Sequence, residues 1–168
     1  MELCSRKHPK RKINRLANYD YAENGAYFVT LCAKEKAHIF GKILSTANVG
    51  ACIARPQTQL SAIGELVEAA ISSIDKHYQY VYVDKYVIMP NHIHMIVFID
   101  GPAGGRAMHA PTLAQIMTQF KGIVSKQAKQ KIWQKSYYDH VIRNQHDYEK
   151  TWEYIDYNPD KWCDDQYY

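Results

Sequence analysis

Residues 81–99 read Val81-Tyr-Val-Asp-Lys-Tyr-Val-Ile-Met-Pro-Asn-His-Ile-His-Met-Ile-Val-Phe-Ile99. The runs 81–88 and 93–99 are rich in β-branched and aromatic residues, which favour strands. Met89-Pro90-Asn91 is too short for the crossover connection that parallel strands require, so the two strands should pair antiparallel. The sequence therefore predicts a β-hairpin in the middle of the chain.

A strand and a helix are predicted before this hairpin. Residues 27–33 have strand composition and follow the turn-forming pair Asn24-Gly25, and residues 39–44 form a second short extended piece. Residues 45–59 show no clear period and are interpreted as a loop or hairpin insertion. From Leu60, a single helix ending near residues 76–78 is predicted from apolar residues at helical spacing: Ile63, Leu66, Val67, Ala70, Ile71 and Ile74.

A helix, a strand and a last helix are predicted after the hairpin and a glycine-rich linker at 100–110. Thr112 and Gln115 form a capping box for the first of these helices. Its buried stripe is predicted at Leu113, Ile116, Met117, Phe120 and Val124, which leaves Lys121, Lys126 and Lys129 in solvent. Residues 137–143 should form a strand, and the last helix should run from Gln145 to about Asn158, before Pro159. This order predicts an α+β, ferredoxin-like antiparallel sheet with helices on one face plus a C-terminal helix.

Length and charge favour one small domain with a basic arm. The chain has 168 residues and a formal net charge of +4. Residues 1–15 hold six basic residues and one acid, whereas the remaining 153 hold 15 basic and 16 acidic residues. We therefore divide the chain into a basic N-terminal arm at 1–24 and a single domain at 25–168. The arm is either a binding segment for a polyanion or simply a solvated tail.

Composition also excludes several classes of protein. No apolar run approaches a membrane span, the first 30 residues lack the apolar core of a secretory signal, and a cytoplasmic location is expected. The four cysteines are widely spaced without a C-x-x-C pair, which argues against a thiolate zinc site or a redox dithiol. A catalytic or binding site must therefore be built from other side chains.

His92 and His94 are the sharpest candidates for such a site. Side chains alternate along a strand, so these two histidines should project from the same face. Two adjacent imidazoles can bind one divalent ion, although they can equally make only hydrogen bonds within a half-exposed sheet. The apolar residues around the pair favour a metal site, because they provide a rigid and partly dry platform.

Tyr154 and Asn158 form the second candidate group, on the last helix. They are four residues apart and so share one flank, whereas Tyr148, Trp152 and Ile155 are predicted to form the buried stripe. A tyrosine can attack a phosphodiester when a metal ion stabilises the developing charge. Joined with the two histidines, Asn158 would complete a nitrogen and oxygen ligand set beside Tyr154. That set tolerates Mg or Mn, but histidines would also accept zinc or nickel, so these residues do not decide the identity of the ion.

The chain closely resembles the HUH-type single-tyrosine transposases, in particular the REP-associated tyrosine transposase branch. The resemblance extends over nearly the whole length through eight segments in order. They are Arg15-Leu16 with Tyr19-Asp-Tyr21, Gly25-Ala-Tyr-Phe-Val-Thr30, Ile39-Phe-Gly41, Val87-Ile-Met-Pro-Asn-His-Ile-His94, Ala110-Pro-Thr-Leu113 with Phe120-Lys121, Ile132-Trp-Gln134, Tyr138-Asp-His-Val-Ile-Arg143, and Tyr154-Ile-Asp-Tyr-Asn-Pro159.

The resemblance implies a role for each candidate residue. The histidine pair of the family motif corresponds to His92 and His94, the nucleophile to Tyr154, and the helix-borne third ligand to Asn158, where insertion-sequence relatives often have Gln. The implied reaction uses Mg or Mn to cleave and rejoin single-stranded DNA through a 5′-phosphotyrosine link, at hairpins from repetitive extragenic palindromes. Backbone phosphates would be contacted by Arg6, Lys7, Lys10, Arg11, Lys12, Arg15 and Lys121.

Two alternative functions and several minor roles stay open at this point. The chain could be a non-catalytic nucleic-acid-binding protein of the same fold, or a metallohydrolase in which His92 and His94 activate water. His140 is interpreted as a strand residue with a structural hydrogen bond, and Tyr157 as a weaker candidate nucleophile than Tyr154. The sequence does not decide between a monomer and a homodimer.

Overall fold

The fold is taken from a computed structural model, which describes residues 24–44, 57–101 and 111–162. Its elements, in chain order, are β1 (Gly25–Cys32), β2 (Gly41–Leu44), β3 (Gln57–Leu60), α1 (Ala62–Ile71), α2 (Ile74–His77), β4 (Val81–Ile88), β5 (His92–Ile99), α3 (Leu113–Gln127), β6 (Tyr138–Ile142) and α4 (Gln145–Asp156). None of the helices in these ranges is both long and apolar enough to cross a membrane.

The main sheet has four antiparallel strands in the order β4-β5-β1-β6. The first and third strands of the β-α-β-β-α-β series therefore occupy the centre, which is the arrangement of a ferredoxin-like sandwich. The predicted fold class is confirmed. Strands β2 and β3 form a separate hairpin, so part of the region interpreted as a loop or hairpin insertion is a strand.

The two faces of the sheet are covered by different helices. Alternate side chains of β1, such as Tyr27 and Val29, pack in one large apolar core with α1 and α3. The intervening side chains, among them Ala26, share a smaller cluster with Ile96 and with Ile155 of α4. Among the described residues, α4 is therefore the one helix on the face opposite α1 and α3. His92 and His94 point to the α4 face because they alternate with Ile93 and Met95, which are in the larger core.

The predicted single helix at 60–78 is wrong in one respect, because α1 ends at Ile71 and α2 begins at Ile74. Ser73 lies at the break, and its hydroxyl donates a hydrogen bond to the carbonyl of Ala70 at 2.9 Å. Serine hydroxyls compete in this way with the regular helix hydrogen bonds. The apolar stripe nevertheless continues through the break, since Ile74 is buried in the same core.

Helix α3 follows the prediction closely. Thr112 accepts a hydrogen bond from the backbone nitrogen of Gln115, and the Gln115 side chain accepts one from the backbone nitrogen of Thr112. This reciprocal capping box fixes the first turn. All five residues of the predicted stripe are buried.

Helix α4 is held to β4 by polar contacts as well as by Ile155. The Lys85 ammonium lies 2.6 Å from Asp156 Oδ1 and 3.7 Å from the centre of the Trp152 ring. A β-bulge between Val83 and Lys85 turns Lys85 toward the α4 face, opposite Ile96. The predicted burial of Trp152 is wrong, because this lysine and not the core contacts its ring; Thr151 is buried in its place.

Two glycines give a matched stability prediction. Gly64 packs so closely on the backbone of Phe40 that an added Cβ would lie 2.0 Å from its carbonyl oxygen, whereas Gly122 has nothing within 4 Å of that position. We expect Gly64→Ala to lower the free energy of unfolding by about 3 kcal/mol, measured by urea titration. Gly122→Ala should raise it by roughly 0.8 kcal/mol through helix propensity. Equal effects at the two sites would contradict this packing.

Candidate active site

Two histidines form the centre of the site at the beginning of β5. His92 and His94 are almost completely buried, and their ring centroids are 4.5 Å apart. Asn91 Oδ1 lies 2.7 Å from His92 Nδ1, and Thr30 Oγ1 lies 2.8 Å from His94 Nδ1. Since Asn91 Oδ1 can only accept, His92 Nδ1 carries the proton and Nε2 is the basic nitrogen. Such partners fix the orientation of imidazole ligands at metal sites.

Tyr154 extends from α4 over this pair. Its hydroxyl lies 3.4 Å from His94 Nε2, a long hydrogen bond, and its ring centroid lies 5.1 Å from that of His94. Phe28 supports both residues, because it stacks on His94 and meets Tyr154 edge-on. Tyr154 is 42% exposed and lines an open groove, so an incoming molecule can reach its side chain from solvent.

Tyr148 on the same helix has a different environment. Its hydroxyl donates to Asp84 Oδ2 at 2.7 Å, and this hydrogen bond, with smaller contributions from burial and charge, raises the pKa of Tyr148 to about 12. The phenolate form of Tyr148 is therefore disfavoured, and its hydroxyl is held by the hydrogen bond to Asp84 on β4.

Asn158 lies on the turn after α4, between two residues that contact the histidines. Tyr154 is four residues before it and reaches His94, while Trp162 is four residues after it and stacks on His92 at 6.0 Å. Asn158 is 3% exposed, and its Oδ1 has no hydrogen-bond partner among the described residues. A buried amide oxygen without a partner is costly, which is the state expected of an oxygen that awaits a ligand.

These donors fit a divalent metal ion. Burial, and secondly the proximity of His92, lower the pKa of His94 well below its usual value, so its imidazole stays neutral near pH 7 and can bind a cation. Two imidazole nitrogens and one amide oxygen would form the ligand set. In the described ranges no three His, Cys, Asp or Glu side chains form a metal-binding group, so a third protein donor would have to be of another kind, such as the Asn158 amide oxygen.

An open groove of about 650 Å³ leads away from Tyr154 between α4 and the strands β1 and β6. His140, which faces this groove, lies with its Nε2 2.9 Å from Asp147 Oδ2. The expected hydrogen bond of His140 is therefore present. Lys150 and Tyr138 line the same groove.

The remaining candidate residues are less closely connected with this site. The Lys121 ammonium donates to the carbonyls of Gln134 at 2.5 Å and Ser136 at 3.2 Å, and burial lowers the pKa of Lys121. The expectation that Lys121 stands free in solvent is wrong, although Lys126 and Lys129 are exposed. Tyr157 is 44% exposed on the turn after α4. The predicted arm residues Arg6, Lys7, Lys10, Arg11, Lys12 and Arg15 lie outside the described residues.

The sequence did not reveal several residues that surround the histidines. Thr30 and Phe28 belong to a strand 60 or more residues away, and only the register of β1 on β5 brings them to His94. Asn91 lies directly before His92 in the quoted motif, and an amide beside a ligand histidine could have suggested its role.

Comparison with known proteins gives one relative and one informative solved structure. No protein-family model matches the chain. An uncharacterized protein from Haemophilus influenzae is 34% identical over 180 residues, which cover 96% of this chain and 94% of that protein. The structure of a REP-associated tyrosine transposase bound to a REP hairpin aligns with a TM-score of 0.62 and 18% identity, over 88% of this chain and 73% of that one.

A second solved structure, a putative transposase from Deinococcus radiodurans, has a TM-score of 0.48 and 12% identity. That likeness is too low to support a conclusion. The alignment with the REP-associated transposase establishes a shared fold, in agreement with the resemblance found in the sequence motifs.

Proposed function

Because this chain belongs to one family with the Haemophilus influenzae protein and has the fold of a REP-associated tyrosine transposase, we propose that it cleaves and rejoins single-stranded DNA through a 5′-phosphotyrosine intermediate. The observation that carries the proposal is the 3.4 Å approach of the Tyr154 hydroxyl to His94 Nε2. The buried Oδ1 of Asn158, four residues after Tyr154, has no hydrogen-bond partner among the described residues and supports it. A candidate nucleophile whose ring is partly open to solvent thus lies beside a buried candidate ligand.

In the proposed cleavage step, the Tyr154 oxygen forms a bond to phosphorus and the bond from phosphorus to the 3′-oxygen breaks. The phenolic proton is lost and the departing 3′-oxygen gains one, so the products are a phosphotyrosine and a free 3′-OH. Rejoining is the reverse reaction, with a 3′-OH as nucleophile and Tyr154 as leaving group. The phosphotyrosine bond conserves the energy of the cleaved phosphodiester bond, so no nucleotide cofactor is required.

His92, His94 and Asn158 would hold a Mg or Mn ion beside Tyr154. A divalent ion there would polarise the phosphoryl oxygen and stabilise the negative charge on the phosphoryl oxygens in the transition state. Thr30 and Asn91 would keep both imidazoles oriented toward the ion through their Nδ1 hydrogen bonds. Phe28 and Trp162 would exclude water from the two sides of the histidine pair.

The proposed substrate is a DNA hairpin with single-stranded flanks. Support comes from the solved neighbour, which is bound to a REP hairpin, and from the basic arm at residues 1–15. Arg6, Lys7, Lys10, Arg11, Lys12 and Arg15 would contact phosphates and so contribute affinity more than sequence choice. Lys121 is a weaker part of this proposal, because its ammonium is engaged by two backbone carbonyls.

The test is cleavage of end-labelled hairpin oligonucleotides that carry single-stranded flanks. With Mg²⁺ or Mn²⁺ we expect a shortened strand whose 3′ end a polymerase can extend, and a labelled band at the size of protein plus DNA on a denaturing gel. Addition of EDTA should abolish both products. Hairpin binding without any cleavage, across a set of palindromic hairpins, would instead identify a non-catalytic DNA-binding protein.

A further inference from the structure

The groove beside Tyr154 extends along α4 to residues that the proposed cleavage step does not use. Asp147, Lys150 and Tyr154 recur at three- and four-residue spacing, so they follow one flank of α4. Tyr154 is seven positions after Asp147, a rise of about 10 Å along the helix. Of these residues, Lys150 and Tyr154 line the groove, whose volume of about 650 Å³ is enough to accept a neighbouring nucleotide.

The floor of this groove comes from β1 and β6. Tyr138 pairs with Thr30, and His140 pairs with Phe28, so all four side chains point to the α4 side of the sheet. Tyr138 is 45% exposed and lies on an edge strand. An exposed aromatic ring on a rigid strand is a suitable surface for stacking one base.

Lys150 and His140 supply the polar side of the groove. Lys150 is exposed and makes no ion pair within the described ranges. The Asp147 carboxylate is occupied, since its oxygens lie within hydrogen-bond distance of His140 Nε2 and of the Arg143 backbone nitrogen. The one acid of this wall is therefore paired, and Lys150 stands as a cation toward the groove.

We propose that this groove binds the nucleotide next to the scissile phosphate, with its base stacked on Tyr138 and its phosphate held by Lys150 beside His140. The inference rests on the proposed DNA cleavage activity and adds to it a binding subsite for one nucleotide of the single strand. It assigns one contact to a base and one to a phosphate. Removal of the base from the DNA strand should affect only the first contact, and a change in salt concentration should affect mainly the second.

The two contacts can be separated with a labelled oligothymidylate and an abasic strand of the same length, titrated by fluorescence anisotropy in EDTA. Tyr138→Ala should weaken oligothymidylate binding by about tenfold and leave binding of the abasic strand unchanged. Lys150→Ala should weaken binding of both strands and lower the salt dependence, the slope of log Kobs against log salt concentration, by roughly 0.7. Tyr80→Ala and Lys76→Ala, exposed changes outside this groove, serve as controls.

Each outcome bears on a defined claim. The wild-type protein could cleave hairpin DNA while Tyr138→Ala and Lys150→Ala bind both strands as tightly as wild type. That result would overturn the proposal that the groove binds a nucleotide and would leave the cleavage proposal standing. If Tyr138→Ala lost the same affinity for the abasic strand as for oligothymidylate, the assignment of Tyr138 to base stacking would also be overturned. Wild-type protein that neither binds nor cleaves DNA would overturn the cleavage proposal and the groove together.

Discussion

Tyr154→Phe is expected to reduce DNA cleavage by about 10⁴-fold or more, with DNA affinity within a factor of about two of wild type. The substitution removes only the hydroxyl that lies 3.4 Å from His94 Nε2. The ring, which packs edge-on against Phe28, is retained. Loss of the nucleophile should therefore appear in the rate of cleavage and not in binding, when both are measured on the same hairpin oligonucleotide.

Tyr157→Phe is the matched control for this change. Tyr157 is similarly exposed and lies only three residues further along the chain. Its variant should cleave at the wild-type rate. A Tyr154→Phe protein that still cleaves at near wild-type rate would instead favour water activated at the histidine pair, as in a metallohydrolase.

His94→Ala is expected to weaken Mn²⁺ binding by more than about 100-fold, because it removes one of three proposed ligands and the partner of Thr30. Cleavage should fall to the level seen with EDTA. Metal affinity is measured by calorimetry without DNA, so that binding of the ion is separated from catalysis. Circular dichroism establishes that the variant is folded.

His77→Ala gives the control for a general effect of histidine removal. His77 is exposed on α2, and its Nδ1 lies 2.7 Å from the carbonyl of Ser73. Helix α2 packs, through Ile74, in the core on the other face of the sheet from the histidine pair. The Mn²⁺ affinity of His77→Ala should equal that of wild type. Unchanged Mn²⁺ affinity in a folded His94→Ala protein would show that the histidine pair serves only to support Tyr154.

The fold could be predicted largely from local patterns. The hairpin at 81–99, the capping box at Thr112 and the helical stripes determined the order of elements, and this order admits few sheet topologies. The exceptions have tertiary causes. Ser73 interrupts a helix whose apolar spacing is continuous, and Trp152 stays at the surface because a bulge in β4 brings Lys85 over its ring.

The sequence predicted the two residue pairs of the candidate site but not the packing that brings them together. His92 and His94 are two residues apart on one strand, and Tyr154 and Asn158 one helical turn apart, so each pair could be placed on one face by its period. The meeting of the two pairs depends on α4 crossing the sheet opposite α1 and α3, which no local pattern encodes. The contact of Trp162 depends on that same packing, whereas those of Thr30 and Phe28 depend on the register of β1 on β5.

The central claim is that Tyr154 forms the covalent link to DNA, and mass spectrometry of the protein–DNA adduct tests it most directly. The protein is trapped with a cleaved hairpin strand in Mn²⁺, digested with nuclease and protease, and fragmented to locate the phosphonucleotide. We expect the added mass on the hydroxyl of Tyr154. Added mass on Tyr157 or any other residue, or cleaved DNA without an adduct, would contradict the proposal.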